Sequence, residues 1–271
     1  MRRPFAASAA IAVGCIVLAG CSSSSDSDSG AATGPPSSGA SARSADGLTG
    51  SITVFAAASL TEAFTTLGQQ FETANPGTKV TFSFGPSSGL ASQIVSGAPA
   101  DVFASAAPKN MAQVVTAKAA TGSTNFAKNV MEIAVPPANP GKIIGLADLA
   151  KPGEKVVLCA AEVPCGVGAR AVFANAKLTV TPVSNEVDVK STLAKVTLGE
   201  ADAGIVYVTD VLAAGSKVKG IPIPADVNAS TEYPIAALSG SKNLPLAQAF
   251  EAYVLSNDGA TVLTSSGFEK P

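Results

Sequence analysis

The stretch SITVFAAASLTEAF, Ser51 to Phe64, holds a strand, a tight turn and the start of a helix. Ser51 to Phe55 is short, β-branched and apolar, and reads as a strand. Ala56 to Ser59 is a turn of small residues. From Leu60 the apolar side chains recur at Leu60, Ala63, Phe64, Leu67 and Phe71, the spacing of one helix face. Ser59-Leu60-Thr61-Glu62 matches the S-x-x-E capping box, in which serine and glutamate satisfy free amides at a helix start.

The same rhythm continues downstream. Lys79 to Phe84 alternates as a strand, Gly85-Pro86-Ser87-Ser88-Gly89 is a turn, and Leu90 to Val95 begins a helix. Val102 to Ala104 reads as a buried strand, followed by a helix from Pro108 with proline in its first turn. Further strands are expected at 130–135, 155–159, 179–183, 203–207 and 232–237. Helices are expected near 166–176, 188–198, 208–213, 245–256 and 258–265. Alternating β and α elements predict an α/β protein with parallel sheets and right-handed crossovers. Ligands of such sheets bind beyond the carboxyl ends of strands. That rule marks Ala56 to Ser59, Ser87-Ser88, Cys165-Gly166 and Tyr207. Cys165-Gly166-Val167-Gly168 is a weak glycine loop, lacking the lysine and spacing of a P-loop.

Upstream of the fold, Arg2 and Arg3 precede an apolar run from Phe5 to Ala19. The run is shorter than the roughly 20 residues of a bilayer span and fits a secretory signal over residues 1–20. Leu18-Ala19-Gly20-Cys21 resembles a bacterial lipobox, with Cys21 as the lipid-modified first residue after cleavage. Residues 21–50 read as a flexible tether, since 22–50 contain ten serines and almost nothing to bury. The expected location is the extracytoplasmic face of the cell membrane, held by a lipid anchor only.

Removing the signal takes 2 of the 18 basic residues and none of the 20 acidic ones, leaving a side-chain charge of −4. That balance argues against a nucleic-acid partner. The chain has no histidine, which excludes Ser-His-Asp and Cys-His catalysis and His-ligated zinc. No paired carboxylates or metal-ligand cluster stand out, so neither an enzyme nor a cofactor is expected. With Cys15 lost and Cys21 lipidated, Cys159 and Cys165 remain. An oxidising compartment favours their pairing, against the alternative of two separate buried thiols.

The order of these motifs carries a resemblance. ITVFAAASLTEAF at 52–64, FSFGPSSGLASQIVSGAPADVFASA at 82–106 and VPCG at 163–166 come first. EVDVKSTLAKVTLGEADAGIVYVTD at 186–210 and YPIAALSG at 233–240 follow. Together they resemble the molybdate-binding proteins of ABC transporters, the ModA type. The resemblance implies a two-lobed type II periplasmic-binding-protein fold with a ligand cleft between the lobes. One lobe would combine residues 51–133 and 234–271, the other 134–233. It further implies a monomer that passes molybdate or tungstate to an ABC permease and its ATPase.

Carried over by position, the anion-contacting residues are Ser59, Ser87, Cys165, Val189 and Tyr207. The two serines would give hydroxyl and backbone N–H, Cys165 and Val189 backbone N–H, and Tyr207 its phenol. Those are seven neutral donors with no lysine or arginine. None of the five positions holds a carboxylate, which argues against an octahedral, carboxylate-supplemented site. Cysteine stands at 165 where the family usually has a small residue, and Gly85-Pro86 is an unusual lead-in to Ser87. Two rivals remain: a binding protein for sulfate or another small oxyanion, and an extracytoplasmic enzyme using Cys165 as nucleophile.

Overall fold

A computed structural model describes residues 47–271; the expected signal, Cys21 and most of the tether lie outside them. Strand β1 (Gly50–Ala57) runs into a 3-10 turn at Ala58–Leu60 and then helix α1 (Thr61–Ala74). β2 (Thr78–Gly85) and β3 (Val102–Ala104) flank β1 in parallel, joined through α2 (Ser87–Val95). α3 (Pro108–Thr116) follows, with its proline at the first helical position as the sequence predicts. Proline fits there because that amide has no acceptor inside the helix.

The next strand, β4 (Thr124–Val135), ties the molecule together. Its first half pairs antiparallel with β9 (Ser230–Ala237), from Thr124 to Val130. Its second half pairs antiparallel with β7 (Ala203–Tyr207) and β8 (Lys219–Pro222). β5 (Val156–Cys159) lies parallel to β7 and to β6 (Ser184–Glu186). The strand order is β2-β1-β3-β9-β4-β7-β5-β6, with β8 on β4. The sheet is therefore mixed, not parallel throughout. β3–β9 and every β4 pairing run antiparallel, because β9 returns from the far half of the chain to lie between β3 and β4.

The remaining helices are α4 (Pro164–Asn175), α5 (Val189–Thr197), α6 (Val208–Ala214), α7 (Leu244–Val254) and α8 (Asn257–Ser265). One expected strand fails: residues 179–183 form none, and a short strand appears at 184–186 instead. Pro182 interrupts the alternating run and removes a ladder donor. β8 was not visible in the sequence, since Lys219-Gly220-Ile221-Pro222 carries one buried side chain.

Apolar burial divides along β4. Phe126 and Ala127 join a core with Val54, Phe64, Phe71, Tyr233 and Phe250. Met131, Ile133 and Val135 join a second core with Val157, Val172, Val196 and Ile205. The chain passes between the two cores in β4 and again at the entry to β9. There Met131 N donates to Ala229 O at 3.2 Å, and Asn228 Nδ2 donates to Met131 O at 2.9 Å. Among the described residues no helix is long and apolar enough to cross a membrane.

Cys159 and Cys165 form a disulfide, with Cα atoms 5.7 Å apart, joining the end of β5 to the first turn of α4. Closing so short a loop contributes roughly 2 kcal/mol in the chain-entropy model. Gly166 is placed by the same close approach. A Cβ there would meet Ala160 O at 1.8 Å and Cys159 O at 2.8 Å, so the glycine serves packing and not a phosphate loop. Gly166→Ala is expected to cost ~1–3 kcal/mol, or roughly 2–12 °C in Tm. Gly145→Ala meets nothing within 4 Å and leaves the Tm unchanged; thermal unfolding of the two variants side by side checks this.

Candidate functional site

Six chain segments meet at one small cavity, Ala106 beyond β3 among them. Ala57, Ala58 and Ser59 come from the turn after β1, and Pro86 and Ser87 from the start of α2. Val163, Pro164 and Cys165 open α4, Asp188 and Val189 open α5, and Tyr207 stands at the N-cap of α6. Each segment leaves a strand, or the loop beyond one, and enters a helix, so free backbone N–H groups gather where the helices begin. The aligned peptide dipoles add partial positive charge there. The cavity's volume is about 20 Å³, far below the roughly 300–1,000 Å³ of pockets for drug-sized molecules. It fits a small ion.

All five residues expected from the sequence line this one cavity: Ser59, Ser87, Cys165, Val189 and Tyr207. All five are buried. Ser87 Oγ accepts a hydrogen bond from Ala106 N at 2.9 Å, which leaves its own proton free for a ligand. Tyr207 is 1% exposed, and its hydroxyl has no partner in the protein. Burial, with the negative field of Asp210 behind it, pushes that phenol well above its ordinary pKa. It is a neutral donor at any physiological pH. An unmade buried hydrogen bond costs roughly 1–3 kcal/mol, so an unpaired phenol at a cavity wall implies a partner that arrives from outside.

Ser59 departs from the capping-box expectation. The N-cap of α1 is Leu60, without a side-chain bond, because the chain enters the helix through a 3-10 turn. Ser59 Oγ instead lies 2.8 Å from Tyr233 Oη. Glu62, the other half of the expected box, points away and binds Lys190, whose Nζ donates to its two carboxylate oxygens at 2.7 and 2.8 Å.

Two features of the site were missed in the sequence. Asp188 brings a carboxylate to the wall, and it is the only charged residue there. It caps α5, its Oδ1 accepting from Ser191 N at 2.8 Å. An aspartate just before the periodic run Val189 to Val196 is a helix-start signal that could have been read. The second feature is an ion-pair network behind the wall. Lys190, next to Val189, lies 3.1 Å from Asp210 Oδ1 as well as against Glu62. Asp210 Oδ2 in turn accepts from Tyr207 N at 3.1 Å. Glu62 belongs to α1 and the other two to α5 and α6, so the network spans both cores. No local pattern in the sequence announces it.

The chain belongs to the bacterial extracellular solute-binding proteins, whose family model matches residues 52–269. That family binds solutes and is not one of enzymes, and it places the protein outside the cytoplasm. The chain is 45% identical over 222 residues to the molybdate-binding protein ModA of Mycobacterium tuberculosis (strain H37Rv), covering 82% of this chain and 85% of that one. It is 34% identical to the Escherichia coli (strain K12) molybdate-binding protein ModA, covering 81% and 89%. The periplasmic molybdate-binding protein of Azotobacter vinelandii superposes with a TM-score of 0.72 at 19% identity, over 81% of this chain and 99% of that one, which establishes the shared fold.

Asp210 gives the network a pH signature. Complete burial raises its pKa from 3.8 to about 6, against the pull of Lys190. A folded-state pKa above the unfolded one means that this group's contribution is full below about 3.8 and is lost as pH rises through about 6. Lys190→Met removes the opposing charge and leaves Asp210 buried and unpaired at neutral pH. We expect a loss of roughly 3 kcal/mol at pH 8, shrinking as pH falls toward 6 and below, since without Lys190 the Asp210 carboxyl takes up its proton at a higher pH than in the unaltered protein. Thermal unfolding of both proteins between pH 4.5 and 8 checks the trend.

Proposed function

We propose that this protein captures molybdate or tungstate outside the cytoplasm and delivers it to an ABC permease and its ATPase. One observation carries the reading. One small cavity gathers Ser59, Ser87, Cys165, Val189 and Tyr207, with no lysine or arginine on its wall and an unpaired phenol among its lining residues. The names of the relatives support the same ligand.

The chemistry suits a bare dianion. Ser59 and Ser87 offer hydroxyl and amide protons, Cys165 and Val189 amide protons, and Tyr207 its phenol. Charge-assisted hydrogen bonds contribute roughly 1.5–3 kcal/mol each. Their sum must exceed the cost of stripping water from a doubly charged ion. Only donors that are already in place do this efficiently, because no dipole has to be reoriented on binding. The ion itself is the ligand, and the protein contributes no direct metal ligand and no cofactor.

Residues 51–133 with 234–271 form one lobe in this reading and 134–233 the other, closing around the ion by a hinge at the two strand crossings. Closure displays a surface to the permease. The chain acts as a monomer, anchored to the membrane by lipid on Cys21.

The rival thiol enzyme loses its nucleophile. Sγ of Cys165 is bonded to Cys159, and no histidine exists to act as base. The sulfate reading is a matter of cavity radius. Competition titration of molybdate, tungstate, sulfate and phosphate tests the proposal directly: tight binding of the first two is expected, and preference for sulfate or phosphate overturns it. Tyr207→Phe weakens molybdate binding by roughly 10- to 150-fold, the worth of one charge-assisted bond. Calorimetry showing unchanged affinity removes Tyr207 from the site.

A further inference from the structure

Behind Ser59 lies a chain of buried polar groups whose donors and acceptors constrain one another. Asn129 is 1% exposed. Its Oδ1 accepts from Val130 N at 3.0 Å, which fixes the orientation of the amide. Its Nδ2 therefore donates to Thr209 Oγ1 at 2.8 Å and to Tyr233 Oη at 3.5 Å. An amide nitrogen has no lone pair to offer, so Tyr233 Oη is the acceptor in that contact. Tyr233 still has its single phenolic proton to give, and Ser59 Oγ, at 2.8 Å, is its nearest acceptor. Ser59 then accepts from behind, and its own proton has only the cavity to point to.

We infer that Tyr233, which does not line the cavity, is a positioning residue that makes Ser59 an obligate donor and so makes the site refuse protonated oxyanions. The inference deepens the oxyanion reading above and rests on it. Hydrogen phosphate and molybdate are both tetrahedral dianions near pH 8, but hydrogen phosphate carries an O–H. Ser87 Oγ is already occupied as an acceptor by Ala106 N. A Ser59 hydroxyl free to rotate would be an acceptor for that O–H. Held by Tyr233, it is not, and the ligand proton loses that acceptor. Burial also keeps the Tyr233 proton in place, raising its pKa well above that of an exposed phenol.

Tyr233→Phe keeps the ring that packs against Phe126, Phe268 and Tyr207 and removes only the hydroxyl. Binding of molybdate and of inorganic phosphate at pH 8 is measured by competition calorimetry for both proteins. The expected result is that phosphate gains on molybdate by roughly 5- to 150-fold, the range of one unmatched buried O–H. Equal weakening of both ligands, or an unchanged ratio, overturns the inference and leaves Tyr233 a packing residue. Failure of the unaltered protein to bind molybdate would instead defeat the oxyanion reading. Neutron diffraction of the unaltered protein tests the proton positions independently of any variant. A deuteron on Tyr233 Oη directed at Ser59 supports the assignment, and a Ser59 deuteron directed at Tyr233 overturns it.

Discussion

A doubly charged ion leaves water only if its oxygens find an equal number of well-placed protons, and the architecture around the cavity follows from that constraint. Backbone amides are unpaired in quantity only at helix starts, so the fold brings the starts of α2, α4, α5 and α6 and the turn before α1 to one point. In the proposed site two hydroxyl groups complete the set from serines, and a phenol closes it. Each hydroxyl is polarised from the protein side: Ser87 by Ala106 N and Ser59 by Tyr233. The one carboxylate on the wall, Asp188, is tied through Oδ1 to Ser191 N. That bond keeps it serving a helix start while it stands close to an anion site.

Keeping these groups in place falls to the parts of the structure that touch no ligand. The Cys159–Cys165 bridge and the close approach at Gly166 fix the first turn of α4 against β5. Asp210 holds the amide of Tyr207, and Lys190 holds Asp210. Lys190 also reaches Glu62 on α1, linking the two sides of the cavity through a pair that is only partly exposed. In the proposed hinge closure such a contact is made when the two sides are together and broken when they part. It thus adds to the closed state without adding to the affinity of either side alone.

The sequence disclosed the local pieces far better than the long-range ones. Strand–turn–helix units around Ser59, Ser87 and Tyr207 were legible because small residues, apolar periodicity and turn chemistry lie within a dozen positions of one another. Their convergence was legible only through the order of motifs shared with a family. Strand direction was not legible, since nothing local in β9 says that it returns to pair with β3 and β4. The capping box at Ser59 was misread for a similar reason. Its tetrapeptide fits the local rule, but Tyr233, 174 positions away, claims the hydroxyl and Lys190, 128 positions from Glu62, claims the carboxylate. Tertiary partners outcompeted a local bond of comparable strength.

The placement of Lys190 shows what a wall without lysine or arginine accomplishes. A lysine inside the cavity would attract any anion, in any protonation state, with a force that salt screens and geometry barely restricts. Here the nearest cation behind Val189 is already matched by two carboxylates, Glu62 and Asp210, so little of its field is left for a ligand. Attraction then comes from dipoles that act over a few ångströms and only along their own directions. An ion that differs in radius misses some of them, and an ion that brings its own proton meets mostly donors. Discrimination is thereby moved from the amount of charge, which the common tetrahedral anions share, to the properties in which they differ.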